Sequence, residues 1–371
     1  MSARCLYIHI PFCIRKCVYC DFYSIPFDPG IESEYVNALG LECILRKEIA
    51  GELGSVFLGG GTPSILSRSS VSDIMNAVRD NFSIRPSSEI TIETNPCTIT
   101  NEKAASFLSS GINRISIGIQ SFNDTELLLL GRIHNSEAAK SAFQTARSAG
   151  FHNISIDLIY GLPGQDMRSW ERTLSVAIEL TPEHISTYEL TPEKDTPLYE
   201  SLKSGSLSLP EEDVPSDMYY RTIDMLRASG YIHYEISNFA KPGYECLHNL
   251  NYWNRGEYLG IGAGAHSFYN GRRIENIADA EQYMGLLAGG VSPVSVETSV
   301  SETEALKEQI FLGIRKTAGF DISGIGGQEI KKAARALAAD GLVELDCNVL
   351  RLSRNGLILC NEVILKLMEA I

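Results

Sequence analysis

Several features are scarce or missing in this chain, and each absence excludes a class of protein. No run approaches the roughly eighteen apolar residues of a membrane-spanning helix. Only 32 lysines and arginines face 46 aspartates and glutamates, so the net charge of −14 gives no field that attracts nucleic-acid phosphates. The opening residues, MSARCLYIHIPF, lack the layout of a signal peptide. We therefore predict a cytoplasmic protein that binds no nucleic acid.

The even, regular cysteine set of a disulfide-stabilised secreted protein is also missing. There are nine cysteines, an odd number at irregular spacing. A chain of 371 residues, 44% of them hydrophobic, is long enough to bury a large core without such bonds. Five cysteines lie among apolar residues, where a thiol behaves as a small buried hydrophobe: Cys5, Cys43, Cys97, Cys347 and Cys360.

What is present in the first half of the chain is an alternation of strand-like and helix-like runs. The strand-like runs are residues 5–10, 55–60, 89–94, 114–120, 154–161 and 184–190. Helix-like stretches with a closing glycine, such as SEAAKSAFQTARSAG, lie between them. Strand alternating with helix predicts a parallel sheet with right-handed crossovers. Six units favour an α/β fold of the partial (β/α)6 barrel type, with a flat doubly wound sheet as the alternative.

Polar residues gather where these predicted strands end. Glu93 and Asn95 close the third strand, Gln120 closes the fourth, and Tyr188 lies near the end of the sixth. The carboxyl ends of the strands form the site in barrel-like α/β folds. The pattern therefore predicts one shared cavity.

The alternation stops after Pro192, which suggests three segments. We predict the partial barrel over residues 1–195 and an extension over residues 196–300. Residues 301–371 read as helix, helix, hairpin, helix, similar to a winged-helix module. Its mixed charge, in an acidic chain, favours a packing or lid role over DNA binding.

Three cysteines stand in one short loop, as CxxxCxxC: Cys13, Cys17 and Cys20. Thiolates at this spacing can bind three irons of a [4Fe–4S] cluster and leave the fourth iron open to another ligand. A structural zinc site would need a fourth protein ligand. Cys5 and His9, in the preceding strand, are poorly placed to supply one. The spacing therefore favours an iron–sulfur cluster.

CxxxCxxC just after a first strand resembles the radical S-adenosylmethionine (SAM) superfamily, in which SAM chelates the open iron. The opening YIHIPFCxxxCxYCDF is similar to oxygen-independent coproporphyrinogen III oxidases, and GGGTPS, IETNP, IGIQSFN and IDLIYGLPGQ follow in that family's order. The resemblance implies a [4Fe–4S] cluster and SAM. The residues that it implies for SAM are Tyr7, Tyr19, Gly60, Gly61, Thr62, Glu93, Gln120, Arg132 and Asp157. In the oxidase, the last three match positions that hold a second SAM.

Two departures separate the chain from the oxidases. Phe22 stands where the oxidase has a fourth cysteine, and only six residues precede Tyr7 where the oxidase has an extension. Both departures resemble a sister family of heme chaperones.

A third feature of that sister family is the motif HNxxYW, here His248, Asn249, Tyr252 and Trp253. An imidazole is a common axial ligand of heme iron, and aromatic rings can cover a porphyrin. The resemblance implies heme binding at these four residues, although a histidine satisfied in an aromatic core is the alternative. Cys246 and His266 are weaker ligand candidates.

The resemblance leaves two functions to compare, and a radical SAM enzyme acting on some other substrate stays open as a third. The first is a heme chaperone that passes heme to acceptor proteins of unknown identity. The second is an oxidase that decarboxylates porphyrinogen propionates by radical chemistry, which would need an electron donor. The chaperone is favoured, while turnover of SAM stays open. A homodimer and transient contact with membrane-bound acceptors are further expectations.

Overall fold

The computed structural model describes residues 4–49 and 51–371. Its strands are β1 (Arg4–Ile10), β2 (Phe12–Cys13), β3 (Ile25–Pro26), β4 (Leu53–Gly60), β5 (Ile84–Thr94), β6 (Arg114–Gln120), β7 (Ile154–Tyr160), β8 (His184–Glu189), β9 (Ile232–Glu235), β10 (Asn238–Ala240), β11 (Tyr258–Ile261), β12 (His266–Tyr269), β13 (Arg272–Asn276), β14 (Val294–Ser299), β15 (Phe320–Asp321), β16 (Val343–Asp346) and β17 (Val349–Leu352). Its α-helices are α1 (Pro29–Arg46), α2 (Arg68–Asn81), α3 (Asn101–Ser109), α4 (Asp124–Leu129), α5 (Ser136–Ala149), α6 (Met167–Leu180), α7 (Pro197–Lys203), α8 (Asp213–Ala228), α9 (Leu247–Trp253), α10 (Ala280–Ala288), α11 (Glu302–Gly313), α12 (Gly327–Ala339), α13 (Arg354–Ile358) and α14 (Cys360–Met368).

The predicted partial barrel is confirmed. Strands β1, β4, β5, β6, β7 and β8 lie side by side in chain order, and each pair of neighbours is parallel. Helices on the outer face cross over between them, as the alternating sequence predicts. The predicted and observed strand bounds differ most at β5, which begins at Ile84, five residues before the predicted start. Pro86 and two serines hide that beginning from a pattern search.

Local sequence explains why these elements form where they do. Helix α5 begins after Asn135, whose side chain accepts a hydrogen bond from the backbone N–H of Ala138. It ends at Gly150, whose φ of 110° is a left-handed conformation that glycine adopts without strain. In β1, alternate residues Leu6, Ile8 and Ile10 are fully buried in the hydrophobic core. The other face of the strand is thereby turned toward the barrel interior.

The segment predicted as an extension continues the barrel sheet at both edges. Strands β10 and β9 follow β8 on one side, and β11 pairs with β1 in parallel on the other side. Strands β12, β13 and β14 complete that second edge, so that the described residues place twelve strands in one sheet. These edge strands are too short to give a clear periodic signal. The predicted boundaries at residues 195 and 300 stay a prediction.

The carboxyl-terminal segment forms the predicted helix, helix, hairpin, helix arrangement. Strands β16 and β17 form the hairpin, and β15 pairs with β17 to give a small three-stranded sheet. This module contacts the barrel sheet through ion pairs, notably from Glu308 on α11 to Arg255 and Arg273. Within the described ranges, no helix is both long and apolar enough to cross a membrane.

Candidate functional site

A cavity of about 460 Å³ lies at the carboxyl ends of the parallel strands. This is where α/β barrels place their ligands, and the volume falls in the usual range for a small-molecule site. Of the residues predicted to hold the cluster and SAM, all but Tyr7 line it: Cys13, Cys17, Cys20, Tyr19, Gly60, Gly61, Thr62, Glu93, Gln120, Arg132 and Asp157. The fold thus brings together residues that are far apart in the chain.

The three cysteines of the loop are free thiols that share one wall of this cavity. Arg132 donates from Nη1 to the Sγ of Cys17 at 3.3 Å, and the Sγ of Cys13 lies 3.7 Å from Thr62 Oγ1. Burial raises the pKa of Cys13 and of Cys20. Cationic Arg132 acts in the opposite direction on Cys13 and favours its thiolate.

This donor set fits an iron–sulfur cluster better than a single ion. Nowhere in residues 4–49 and 51–371 do three His, Cys, Asp or Glu side chains converge to hold one metal ion. A cubane cluster instead takes one thiolate at each of several irons, so its ligands are spread around it. The three thiols lie on one wall of the cavity beside the guanidinium of Arg132, whose Nε has no hydrogen-bond partner among the described residues. This arrangement suits an anionic cluster.

Two glycines of the GGGTP segment are required by the protein's own packing. Gly60 has a φ of 109°, and a Cβ there would lie 2.5 Å from the ring of His9. A Cβ on Gly61 would lie 2.6 Å from the carbonyl oxygen of Phe12, beside the cysteine loop. The sequence interpretation gave these glycines the role of admitting SAM. The structure adds that they let β1 and the loop after β4 approach each other.

Two half-buried carboxyl groups face the same space. Gly60 donates its backbone N–H to Glu93 Oε2 at 3.2 Å, and Ser116 donates its hydroxyl to Asp157 Oδ2 at 3.0 Å. Burial, and then the nearby Asp157, raise the pKa of Glu93 to about 8. Burial also raises the pKa of Asp157, against hydrogen bonds from Ser186 and Ser116. A cationic group that enters here would meet two carboxylates in a low-dielectric setting.

Gln120 and Arg132 form the neighbouring part of the cavity. Gln120 has a φ of 71°, an unusual value for a residue other than glycine, and it ends β6. Arg132 donates from Nη2 to the carbonyl of Gly118 at 2.6 Å. This bond holds the guanidinium between the end of β6 and the cysteine loop.

Sequence reasoning missed several lining residues. Ser116 and Gly118 precede Gln120 on the same face of β6, so the alternation of a strand could have identified them. Arg15, Lys16 and Phe22 also line the cavity, next to the cysteines. Loop residues carry no periodic signal, so their position next to Cys17 and Cys20 was the one feature of the sequence that could have identified them as lining residues.

Tyr7 lies beneath the cavity and does not line it. Its ring is stacked on Phe57 with centroids 6.3 Å apart, and its hydroxyl lies 3.0 Å from His9 Nδ1. The second nitrogen of His9 lies 3.0 Å from the carbonyl oxygen of Tyr23, just after the cysteine loop. Tyr7 and His9 therefore connect the barrel interior to the end of that loop.

The HNxxYW residues lie elsewhere, near the first halves of the strands. Ser55 Oγ lies 2.8 Å from His248 Nδ1, and the hydroxyl of Tyr252 lies 3.0 Å from Nε2. Only 1% of His248 is exposed, and burial lowers its pKa to about 3. Both ring nitrogens are thus occupied inside the protein. The heme interpretation of His248, Asn249, Tyr252 and Trp253 stays a prediction.

Neither weaker ligand candidate joins a cluster of ligands. Cys246 is buried and donates its thiol to Glu89 Oε1 at 3.4 Å. His266 is exposed on β12 and lies 3.7 Å from Glu275. Each therefore has an ordinary structural partner.

Comparisons with known proteins agree with this geometry. Residues 7–177 match the model of the radical SAM superfamily, and residues 300–359 match the HemN C-terminal domain. The heme chaperone HemW of Bacillus subtilis (strain 168) is 38% identical over 96% of this chain and 97% of its own length. The heme chaperone HemW of Escherichia coli (strain K12) is 41% identical over 72% of this chain and 71% of its own length.

One solved structure is similar over the whole fold. The coproporphyrinogen III oxidase HemN of Escherichia coli, a radical SAM enzyme, matches with a TM-score of 0.85 and 25% identity, over 100% of this chain and 91% of that one. The HemW relatives are more similar in sequence, and that of Bacillus subtilis matches nearly end to end. The chain therefore belongs to the HemW family of the radical SAM superfamily.

Proposed function

We propose that this protein is a heme chaperone, which binds heme and delivers it to acceptor proteins. The observation that carries the proposal is the 38% identity to a heme chaperone over 96% of the chain. The exposed Phe22, in place of the fourth cysteine of the oxidases, supports the same reading.

The cavity residues would hold the cluster and SAM that the superfamily implies. Cys13, Cys17 and Cys20 would bind three irons, and Glu93 would accept a hydrogen bond from the ammonium of SAM. Arg132 would lie beside the anionic cluster. When bound, the cluster supplies an electron that can cleave SAM. In a chaperone, the same two groups would serve assembly, dimerisation or regulation of transfer.

Coproporphyrinogen oxidation is the second candidate. The specific observation that favours it is the position of Gln120, Arg132 and Asp157 in the cavity of a fold shared with an oxidase. The oxidase, however, is 25% identical, whereas the chaperones are 33–43% identical over most of the chain. The chaperone therefore has the stronger support.

A heme titration of anaerobically reconstituted protein tests the proposal. We expect saturation at one heme per chain with submicromolar affinity, which is tight enough for specific capture. Heme should then pass from the loaded protein to an apo-acceptor, and a coupled assay would follow this transfer as the loss of the loaded protein's Soret band. Absence of saturable binding would reject the chaperone, and turnover of coproporphyrinogen would establish the oxidase.

The remaining partner predictions follow from the family alone. A homodimer, a cytoplasmic location, transient contact with membrane-bound acceptors and an electron donor for the cluster stay predictions. Analytical ultracentrifugation with and without heme and SAM measures the first of these directly.

A further inference from the structure

The rim of the cluster cavity carries exposed side chains that neither the cluster nor SAM accounts for. Ile14 exposes 56% and Phe22 exposes 65% of its surface. Arg15 and Lys16, in the same loop, are also exposed, and both line the cavity with Phe22. Ile14 and Phe22 thus expose two large apolar side chains in one short loop beside two cations, and exposed apolar surface rimmed by polar residues is a feature of ligand-binding sites. The cations are notable because the whole chain has a net charge of −14.

We propose that this rim is where heme binds: Phe22 contacts one face of the porphyrin, and Arg15 and Lys16 pair with its propionates. The inference rests on the proposed heme-chaperone function and adds the location and the mode of recognition. A porphyrin is a flat apolar ring with two carboxylates at one edge. An exposed aromatic ring and two adjacent cations are the complementary set.

The loop keeps these groups close together. Lys16 donates from Nζ to the backbone carbonyl of Phe22 at 3.0 Å, which ties the ammonium to the backbone of the residue that carries the ring. Asp21 is also exposed in this loop, so the local balance is two cations against one carboxylate. The guanidinium of Arg15 adds planar donors that suit a carboxylate.

The opposite wall of the cavity would orient the ring. This wall carries the exposed carboxylates of Glu189 and Glu193 beside Thr191. Ile159 and Leu190 also line the cavity, but they are buried and pack with Val18 and Tyr19 of the cysteine loop. The two carboxylates would repel the propionates. The propionates would therefore lie toward the cysteine loop.

The cavity floor is unsuited to the ring itself. Glu93, Asp157 and Arg132 line it and are half-buried, and an apolar porphyrin face laid against them would remove these polar groups from water without a partner of its own. These groups suit a small charged ligand, so the porphyrin is assigned to the rim and the floor to SAM.

The HNxxYW helix offers heme less than the rim does. His248 is 1% exposed, and Ser55 and Tyr252 occupy both of its ring nitrogens. Iron ligation by His248 would require one of these hydrogen bonds to break and the buried ring to become accessible. The rim needs no such rearrangement.

The test compares heme affinity in rim variants and matched controls, each reconstituted with its cluster. Phe22→Ser and the double variant R15E/K16E should each raise the Kd for hemin at least tenfold, as measured by difference spectra in the Soret region. Phe22→Tyr keeps a ring and should restore the affinity. The controls are Leu365→Ser, at a leucine that is 61% exposed on α14, and K332E/R335E, which reverses two exposed cations on α12.

Three probes separate rim binding from ligation of the iron. Iron-free protoporphyrin IX should compete with hemin, because the rim recognises the ring and the propionates. Its dimethyl ester should compete poorly, and added salt should weaken hemin binding, because the ion pairs are exposed. Unchanged cluster absorbance in every variant will confirm that the loop still assembles.

Different outcomes overturn different claims. Rim variants with wild-type affinity, together with loss of binding in His248→Phe, would overturn the rim site and leave the chaperone function standing. Failure of protoporphyrin IX to compete would equally reject recognition by the ring. If the wild-type protein itself shows no saturable hemin binding, the proposed function fails first.

Discussion

Individual residues of the candidate site are tuned by burial as much as by charge. Burial raises the pKa of both Glu93 and Asp157, and the nearby Asp157 raises that of Glu93 further. Arg132 opposes this with a fixed positive charge that contacts Cys17. The site therefore holds groups that a bound cation and a bound anionic cluster would stabilise.

The three loop cysteines should be needed for the cluster, each by itself. Replacement of Cys13, Cys17 or Cys20 by Ala should abolish the brown chromophore of anaerobically purified protein, since one iron of the cluster would lose its thiolate ligand. Iron and sulfide analysis gives the measurement. Cys347→Ala, at an exposed cysteine far along the chain, is the control and should keep full content. A full complement in any of the three loop variants would refute the assignment.

The raised pKa of Glu93 predicts a pH-dependent affinity for SAM. The carboxylate is the form that attracts an ammonium, and its fraction declines as the pH falls below about 8. Between pH 8 and pH 6.5 we expect the affinity of cluster-loaded protein for SAM to fall about tenfold. Calorimetric titration in buffers of different ionisation enthalpy should also detect protons released on binding near pH 7.

Glu93→Gln supplies the reference for that experiment. The amide stays neutral at every pH, so its profile reports only the titration of SAM and of other groups. If the two proteins gave parallel profiles, Glu93 would not be the titrating group.

At the scale of elements, helix α9 is held against the barrel by one carboxylate. Glu89 on β5 accepts hydrogen bonds from the backbone N–H groups of Leu247 and His248 and from the thiol of Cys246. It also lies 3.9 Å from Arg114. A carboxylate at a helix amino terminus satisfies donors that the helix leaves free. The HNxxYW motif is therefore part of a buried polar network in this structure.

Loss of that carboxylate should destabilise the fold. Glu89→Ala leaves several buried donors and the guanidinium of Arg114 without a partner, which should lower the free energy of unfolding by about 3 kcal/mol. Urea denaturation, followed by the fluorescence of Trp253 at the end of α9, measures the effect.

The matched control removes an exposed ion pair of the same chemistry. Glu344 pairs with Arg351 on the hairpin, with both side chains about half exposed. Glu344→Ala should cost less than about 1 kcal/mol. If the free energy of unfolding fell equally in the two variants, Glu89 would stabilise the fold no more than an exposed ion pair does.

Across the whole molecule, the carboxyl-terminal module shares the hydrophobic core of the barrel through Ile310 and Ile314, and polar contacts add to this attachment. Glu308 on α11 binds Arg255 at 2.7 Å and Arg273 at 2.6 Å, and both arginines stack over the ring of Phe268. Arg315, just after α11, lies over the ring of Trp253 at 5.6 Å. The module thus contacts the end of α9.

Removal of the Glu308 carboxylate should loosen this attachment. Glu308→Ala leaves two arginines without their partner, so we expect α11 amides to exchange with deuterium several-fold faster while those of β6 and β7 are unchanged. Glu302→Ala, an exposed glutamate at the start of the same helix, should leave exchange near the wild-type rate. If deuterium exchange of the α11 amides were equally faster in both variants, fraying of the helix would explain it better than a weakened interface.

The sequence by itself determined the barrel and the cluster loop, because strand–helix alternation and the CxxxCxxC spacing are local signals. It also indicated Glu93, Gln120 and Asp157, since polar residues at strand ends are visible in one dimension. Only the tertiary structure decided that residues 196–300 extend both edges of the sheet, since edge pairing depends on partners hundreds of residues away. Likewise, the burial of His248 depends on Ser55, 193 residues earlier in the chain. Contacts between distant segments leave no periodic pattern in the sequence, so only the tertiary structure reveals them.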